Sequence, residues 1–365
     1  MDLIHIGWHP YFEAQFNELQ QQIDAPVVPG RISTEHRERY EVLCADGDIW
    51  AQVSGKFRHD VQWRSDFPAV GDWVAVEPQP GDSPGVIHAV LPRRTAFIRK
   101  AELGSGKTDN QALATNVDTV FIVSSLNEEF NLRRIERYLT IAWDSGVKPV
   151  IVLNKSDVCE TVDDHIAKTE SVAIGVPIHA ISALDDSELT QLQPYMSAGT
   201  TVAFIGSSGV GKSTIINRLL GYDRQSTGEI RVADGKGRHT TTTRELIVQP
   251  GGAILVDTPG MRLIGLWSDD SGLEQTFEDI EGLATACKFR DCSHADEPGC
   301  AIQAAIESGE LDAKRFASYL RLQREIAHME RRKDKAAMHQ LKREWQKRIQ
   351  AHHKAMKELR KRGLR

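Results

Sequence analysis

The rhythm of apolar and polar positions changes three times along this chain. Residues 1–30 are mixed, with one short helix expected around Tyr11–Gln22. From 31 to 97 apolar residues alternate in short runs bounded by Gly or Pro. "RYEVLC" and "IWAQVSG" flank "ADGD", an Asp-Gly hairpin signal, and "GDWVAVE" and "GVIHAVL" follow. No segment there is long enough for a good helix. The pattern predicts a small all-β barrel of about five strands, OB-like in the first instance, although periodicity does not separate it from an SH3-like barrel. Residues 98–116 are polar and Gly-containing and read as a linker. From 117 to 268 buried strands ("VDTVFIV", "KPVIVLN", "VPIHAIS", "TTVAFIG") alternate with helical patterns such as "NLRRIERYLTIAWDSG" and "KSTIINRLLG". "TRELIVQP" and "GAILVDTPG" close the set as adjacent strands. Such alternation means an α/β domain with a mostly parallel sheet covered on both faces. Residues 269–330 read as a helical domain around a Cys/His cluster, and 331–365 as a basic helical tail. The expected molecule is therefore multidomain.

Charge sharpens this division. The net charge is −6, yet residues 311–365 hold 18 Lys/Arg against 6 Asp/Glu, leaving the rest of the chain 27 against 45. A basic tail on an acidic body reads as a nucleic-acid arm, with a solvated helix as the plain alternative. Residues 1–30 hold few basic residues, so no second such arm is expected at the N-terminus. No apolar run approaches the ~20 residues of a membrane span, and the N-terminus lacks the pattern of a secretory signal. Of five cysteines, three crowd into 287–300, which favours a metal site in a reducing compartment, the cytoplasm, over a disulfide framework.

Three short strings carry the chemistry. Gly206-Ser207-Ser208-Gly209-Val210-Gly211-Lys212-Ser213-Thr214 follows an apolar strand and opens a helix, the context a phosphate-binding loop requires. Glycines let backbone N–H groups close around phosphates, and the helix N-terminus favours negative charge. Lys212 is placed for the β- and γ-phosphates and Ser213 for Mg²⁺. The similar "GSGKT" at 104–108 is set aside, because no apolar strand pattern leads into it. Asp257-Thr258-Pro259-Gly260 ends a hydrophobic strand. There Asp257 can hold Mg²⁺ through water, and the Gly260 N–H can sense a γ-phosphate. Asn154-Lys155-Ser156-Asp157 ends another strand. The Asp157 carboxylate can accept from the two adjacent N–H donors of guanine, which adenine lacks. Asn154 is expected on the purine edge and the Lys155 stem on the ring. After the next strand, Ser182 and Ala183 of "ISAL" match a loop offering a backbone N–H to guanine O6, with Ala183 as donor. The expected ligands are GTP or GDP with Mg²⁺.

Between the phosphate loop and "DTPG" lies "GRHTTTTR" at 237–244. A threonine of that run, with Thr241 preferred, is expected on Mg²⁺. Met261 stands where many GTPases place a water-orienting Gln, so slow unaided hydrolysis is expected. His239 is the nearest side chain able to orient water; the plainer reading has it contact RNA or pack the loop. Cys287, Cys292, His294 and Cys300 form C-x₄-C-x-H-x₅-C, a closed tetrahedral set suited to one structural Zn²⁺, with a set of buried free thiols as the alternative.

The guanine motif precedes the phosphate loop, the reverse of the ordinary order, so the chain resembles the circularly permuted GTPases. With the barrel, the Cys₃His set and the basic helix, residues 31–330 closely resemble the ribosome small-subunit-dependent GTPase A family. The pieces that carry the likeness are "TNVDTVFIV", "NKSD", "GSSGVGKST", "GRHTTTT", "DTPG" and "CKFRDCSHADEPGCAI". The resemblance implies a bacterial GTPase that binds the small ribosomal subunit late in its assembly. It also implies slow hydrolysis stimulated by the subunit, and 16S ribosomal RNA as partner. Gly209 stands where potassium-activated relatives carry Asn, so no potassium dependence is expected. A monomer is expected, with no membrane association. The competing reading is a GTP-gated RNA- or protein-binding module whose hydrolysis is incidental.

Overall fold

The structure is a computed structural model that describes every residue except 1, 38, 62, 82, 104–106, 223–243, 258–270, 296, 330 and 332–365. The expected N-terminal helix is α1, Pro10–Gln22, with Pro at its first turn and the His9 ring accepting from the Tyr11 N–H. Phe12 and Phe16 on its buried face join Trp8 against Trp73, the Trp8 and Trp73 rings lying 4.6 Å apart.

The barrel consists of β1 (Val28–His36), β2 (Arg39–Cys44), β3 (Ile49–Val53), β4 (Trp73–Glu77) and β5 (Gly85–Val90). β1–β2, β2–β3, β4–β5 and β1–β4 pair antiparallel, while β3–β5 pair parallel, which closes the ring. That closure makes it an OB-like barrel. Ile32, Val42, Ala51, Val74, Val76 and Ile87 fill it, and a Cβ on Gly30 would sit 2.4 Å from Val42. One expectation fails here. A six-residue helix, α2 (Gly55–Asp60), stands between β3 and β4, capped by the Ser54 hydroxyl. It is too short to show a helical period in sequence and relies on its cap.

The segment read as a linker is also corrected. β6 (Ala96–Leu103) and β7 (Lys107–Thr115) form an antiparallel hairpin. "GSGKT" therefore does follow a strand, but a strand rather than a helix follows it. No helix N-terminus is available there for phosphate, so setting it aside stands for a different reason.

The next strands are β8 (Thr119–Ser125), β9 (Lys148–Asn154), β10 (Ile178–Ile181), β11 (Thr201–Ile205), β12 (Glu245–Val248) and β13 (Ile254–Asp257). They lie in the order β10-β9-β8-β11-β13-β12, all parallel except β12. Both faces are buried: Val120, Ile122, Ile151 and Leu153 face one core, Phe121, Val123, Val150 and Val152 the other. Helices α3 (Leu132–Asp144), α4 (Val162–Glu170), α5 (Asp186–Leu189) and α6 (Lys212–Leu220) intervene. β11 is late in the chain yet central in the sheet. A parallel sheet keeps its spatial order when old ends are joined and a new break is made elsewhere, so this is a circularly permuted GTPase fold.

The C-terminal domain comprises α7 (Ser271–Thr276), α8 (Glu278–Ala284), α9 (Ala301–Ser308) and a helix over 313–329. It docks on α3 so closely that a Cβ on Gly272 would lie 2.1 Å from Asp144 Oδ1. Among the described residues no helix is long and apolar enough to cross a membrane.

Candidate functional site

The strand-to-helix turn after β11 is built by glycines in conformations other residues avoid. Gly206, Gly209 and Gly211 have φ of 147°, 77° and 97°. A Cβ on Gly206 would lie 2.2 Å from the Val123 carbonyl, and one on Gly211 2.0 Å from Asn154 Nδ2. Lys212, at the start of α6, donates from Nζ to the carbonyls of Gly206 (2.9 Å) and Ser207 (2.5 Å). Its ammonium thus lies against the loop's own carbonyls.

Asn154 brings the three predicted loops together. It ends β9 and is only 2% exposed. Its Nδ2 donates to the Val210 carbonyl in the phosphate loop (2.8 Å). Its Oδ1 accepts from the Ala183 N–H after β10 (2.9 Å). Here two sequence expectations shift. Asn154 acts first as a clamp between loops, with the purine edge left to its second N–H. The Ala183 N–H, read as the O6 donor, points at Asn154 instead. Lys155 holds a left-handed φ of 70°, unusual for a side-chain-bearing residue. That conformation turns the chain sharply into Ser156–Val158, which carries Asp157.

β13 ends at Asp257, beside β11 in the sheet, so the fourth motif starts at the same sheet edge. Gly260, Met261, His239 and Thr241 lie outside the described residues.

In the C-terminal domain, one donor atom from each of Cys287, Cys292, His294 and Cys300 falls within 4.8 Å of all the others. His294 Nδ1 is 3.5 Å from both Cys287 Sγ and Cys300 Sγ, and those sulfurs are 4.0 Å apart. Ligands at Zn–S and Zn–N bond lengths around one tetrahedral ion are about 3.5–3.8 Å apart, so the set fits. His294 reaches it through a left-handed backbone, φ 59°.

Comparison with known proteins agrees with this geometry. Residues 90–267 match the family model described as RsgA GTPase. A protein of Opitutus terrae named small ribosomal subunit biogenesis GTPase RsgA is 45% identical, covering 95% of this chain and 96% of its own. One of Lactiplantibacillus plantarum named small ribosomal subunit biogenesis GTPase RsgA 2 is 49% identical, over 82% of this chain and 84% of its own. The chain belongs to the RsgA GTPase family. Among solved structures, YjeQ from Thermotoga maritima superposes with a TM-score of 0.60 at 27% identity, covering 82% of this chain and 99% of its own. YloQ, described as a circularly permuted GTPase, superposes with a TM-score of 0.57 at 26% identity, over 83% and 96%. Membership makes this chain a GTP hydrolase.

Three residues of the site and its surroundings escaped sequence reasoning. Arg134, in the first turn of α3, donates to Ser207 Oγ (2.8 Å) and also meets Glu129 (3.3 Å), so α3 touches the phosphate loop. Glu188 of α5 accepts from the Ser156 hydroxyl (3.0 Å) and the Ser182 N–H (2.5 Å). Glu297 accepts from the backbone N–H groups of Ser293 (2.9 Å) and Ala295 (3.0 Å) and from the Ser293 hydroxyl. Those bonds hold its carboxyl down at about 2 and fix the loop around His294. A lone Glu in a polar loop gives no sequence signal; only the fold reveals what it ties.

Proposed function

We propose that this chain hydrolyses GTP while bound to the small ribosomal subunit, contacting 16S ribosomal RNA late in subunit maturation, and that the subunit stimulates a slow intrinsic rate. The observation that carries the reading is Asn154, which binds the phosphate loop and the loop after β10 to the guanine motif in one site. The curated relatives' names supply the ribosomal half. In this reading Asp157 selects guanine, with Lys155 on the ring and Ser182–Ala183 closing its edge. Gly206–Thr214 cradles the phosphates, and Lys212 neutralises charge as the bond to the γ-phosphorus breaks. Ser213, Thr241 and Asp257 are the groups that would hold Mg²⁺, which supplies charge neutralisation between the β- and γ-phosphates. Gly260 senses the γ-phosphate. His239 orients the attacking water, a part that Met261 has no group to play. Cys287, Cys292, His294 and Cys300 would hold Zn²⁺, which supplies cross-linking of the C-terminal loop rather than reactivity. The protein works in the cytoplasm as a monomer.

Co-sedimentation with purified subunits tests the reading. Binding to small subunits is expected with a non-hydrolysable GTP analogue and is expected to weaken sharply with GDP. Equal binding with either nucleotide, or equal binding to large subunits, would count against it.

A further inference from the structure

We infer that Glu188 is a positioning residue for guanine specificity: its carboxylate ties the turn carrying Asp157 to the loop after β10. The inference rests on the guanine-site assignment above and extends it to a residue outside the recognised motifs. One oxygen, Oε2, accepts both the Ser156 hydroxyl at 3.0 Å and the Ser182 N–H at 2.5 Å. Ser156 directly precedes Asp157, and Ser182 directly precedes Ala183. Both bonds are charge-assisted, hence roughly twice as strong as neutral ones. α5 spans only Asp186–Leu189, and the Asp185 carboxylate caps it through the Ser187 N–H (2.8 Å) and hydroxyl (2.7 Å). Leu189 beneath is buried in the sheet core. Glu188 is thus presented from an anchored turn.

Asn154 joins the same two loops from the phosphate side. Glu188 joins them from the Ser156 side. With both in place the Asp157 turn has little freedom to shift relative to the loop beside it. Recognition of the guanine 2-amino group depends on that registry, because a hydrogen bond weakens steeply as its angle departs from linearity. Phosphate contacts from Gly206–Thr214 do not depend on it.

The test is equilibrium binding of GDP and IDP, which differ only in the 2-amino group, by the full-length chain. The wild type is expected to prefer GDP. In Glu188→Ala the GDP-over-IDP preference should fall about tenfold, and in Glu188→Gln by less, since an amide oxygen can keep one bond. Ser156→Ala, which removes one limb and leaves the other, should lie between wild type and Glu188→Ala. The preference for GDP over GMP should stay constant throughout, whereas a general loosening of the fold would weaken GDP, IDP and GMP alike and leave the GDP-over-IDP preference unchanged as well. An unchanged GDP-over-IDP preference in folded Glu188→Ala, or equal weakening of both ligands, would overturn the inference. A wild type with no preference would instead overturn the guanine-site reading, and this inference with it.

Discussion

Arg31 shows how much of this molecule hangs on single side chains. It is 1% exposed, and its guanidinium donates to the carbonyls of Ile6 (2.5 Å), Gly71 (3.3 Å) and Asn116 (3.2 Å) and to Thr201 Oγ1 (2.9 Å). One residue thereby joins the N-terminal segment, the barrel, the end of β7 and the first residue of β11. Burial pushes its pKa down to about 10, still well above neutral pH, so it stays charged. Arg31→Ala takes the guanidinium from the Ile6 and Asn116 carbonyls, while Gly71 keeps the Asn116 amide, and a loss on the order of 3 kcal/mol is expected in denaturant titration. Wild-type stability would show that water replaces the guanidinium. The same scale decides base choice. Asp157→Asn should weaken GTP binding about ten- to hundredfold and favour xanthosine triphosphate, whose exchanged oxygen wants a donor. Retained preference for GTP would show that Asp157 does not read the base. Arg31 could not be singled out in sequence, because an arginine opening a strand pattern ordinarily faces solvent.

At the scale of elements, α3 couples the nucleotide site to the C-terminal domain. Its N-terminal turn reaches Ser207 through Arg134. A stripe of 133, 136, 137, 140 and 144, at helical spacing, faces the C-terminal helices. Arg137 forms a paired contact with Glu325 at 2.6 and 2.7 Å. Thr140 bonds Thr276 (3.2 Å), and Asp144 accepts from the Gly272 N–H (2.9 Å). Fully buried Glu136 meets Arg315 (3.0 Å), which also grips Asp279 at 2.6 and 2.8 Å. In sequence this stripe looks like the solvated face of an amphipathic helix; only the fold shows another domain on it. Arg315→Met leaves buried Glu136 with Arg133 as its remaining ion-pair partner and should cost about 1–3 kcal/mol of docking stability. Hydrogen exchange over 313–329 reads that loss, and unchanged protection there would contradict it. The Arg137 bonds hold the Glu325 carboxyl below its ordinary value of 4.5. A depressed carboxylate stabilises the fold above that value, and the contribution fades as pH falls through the lowered one. Burial pushes Glu136 the opposite way, so comparison with Arg137→Gln isolates the Glu325 part. The variant's docking should be less acid-sensitive than wild type, and equal sensitivity would remove Glu325 from the account. In the Cys₃His loop, metal binding is folding energy. Chelation or Cys292→Ser should therefore increase proteolysis of 271–329 while nucleotide binding survives. Unchanged protease resistance after verified metal loss would contradict this.

Across the whole molecule, the permuted order has a mechanical meaning. Among the described residues no strand follows β13, and the next element is α7 of the C-terminal domain. At the other edge, β12 pairs with barrel strand β1 at Thr34 and Glu245, and Arg244 bonds Glu35 at 3.2 Å. The strand after "GRHTTTT" therefore abuts the barrel, and the strand before "TPG" leads to the Cys₃His domain. In chain order, both segments expected to respond to the γ-phosphate therefore connect the sheet to strands or helices next to an outer domain. The nucleotide motifs and domain order were legible in sequence because phosphates and guanine demand particular residue types at fixed spacing. The β6–β7 hairpin was not, since a polar two-stranded arm such as "IRKAELGSGKTDNQA" lacks the apolar alternation that marks a strand. α1 was legible as a helix, but its packing role was not, because Phe12 and Phe16 become core only once Trp73 is beside them. His239 and the basic tail, of which 332–365 lie outside the described residues as His239 does, carry the remaining expectations. The most direct test of the account is GTP turnover by the full chain alone, with purified small subunits, and with large subunits. Slow turnover alone, strong stimulation by small subunits only, and loss of most of that stimulation in His239→Ala with GTP affinity intact are predicted. Turnover that small subunits leave unchanged, or that large subunits raise equally, would contradict it.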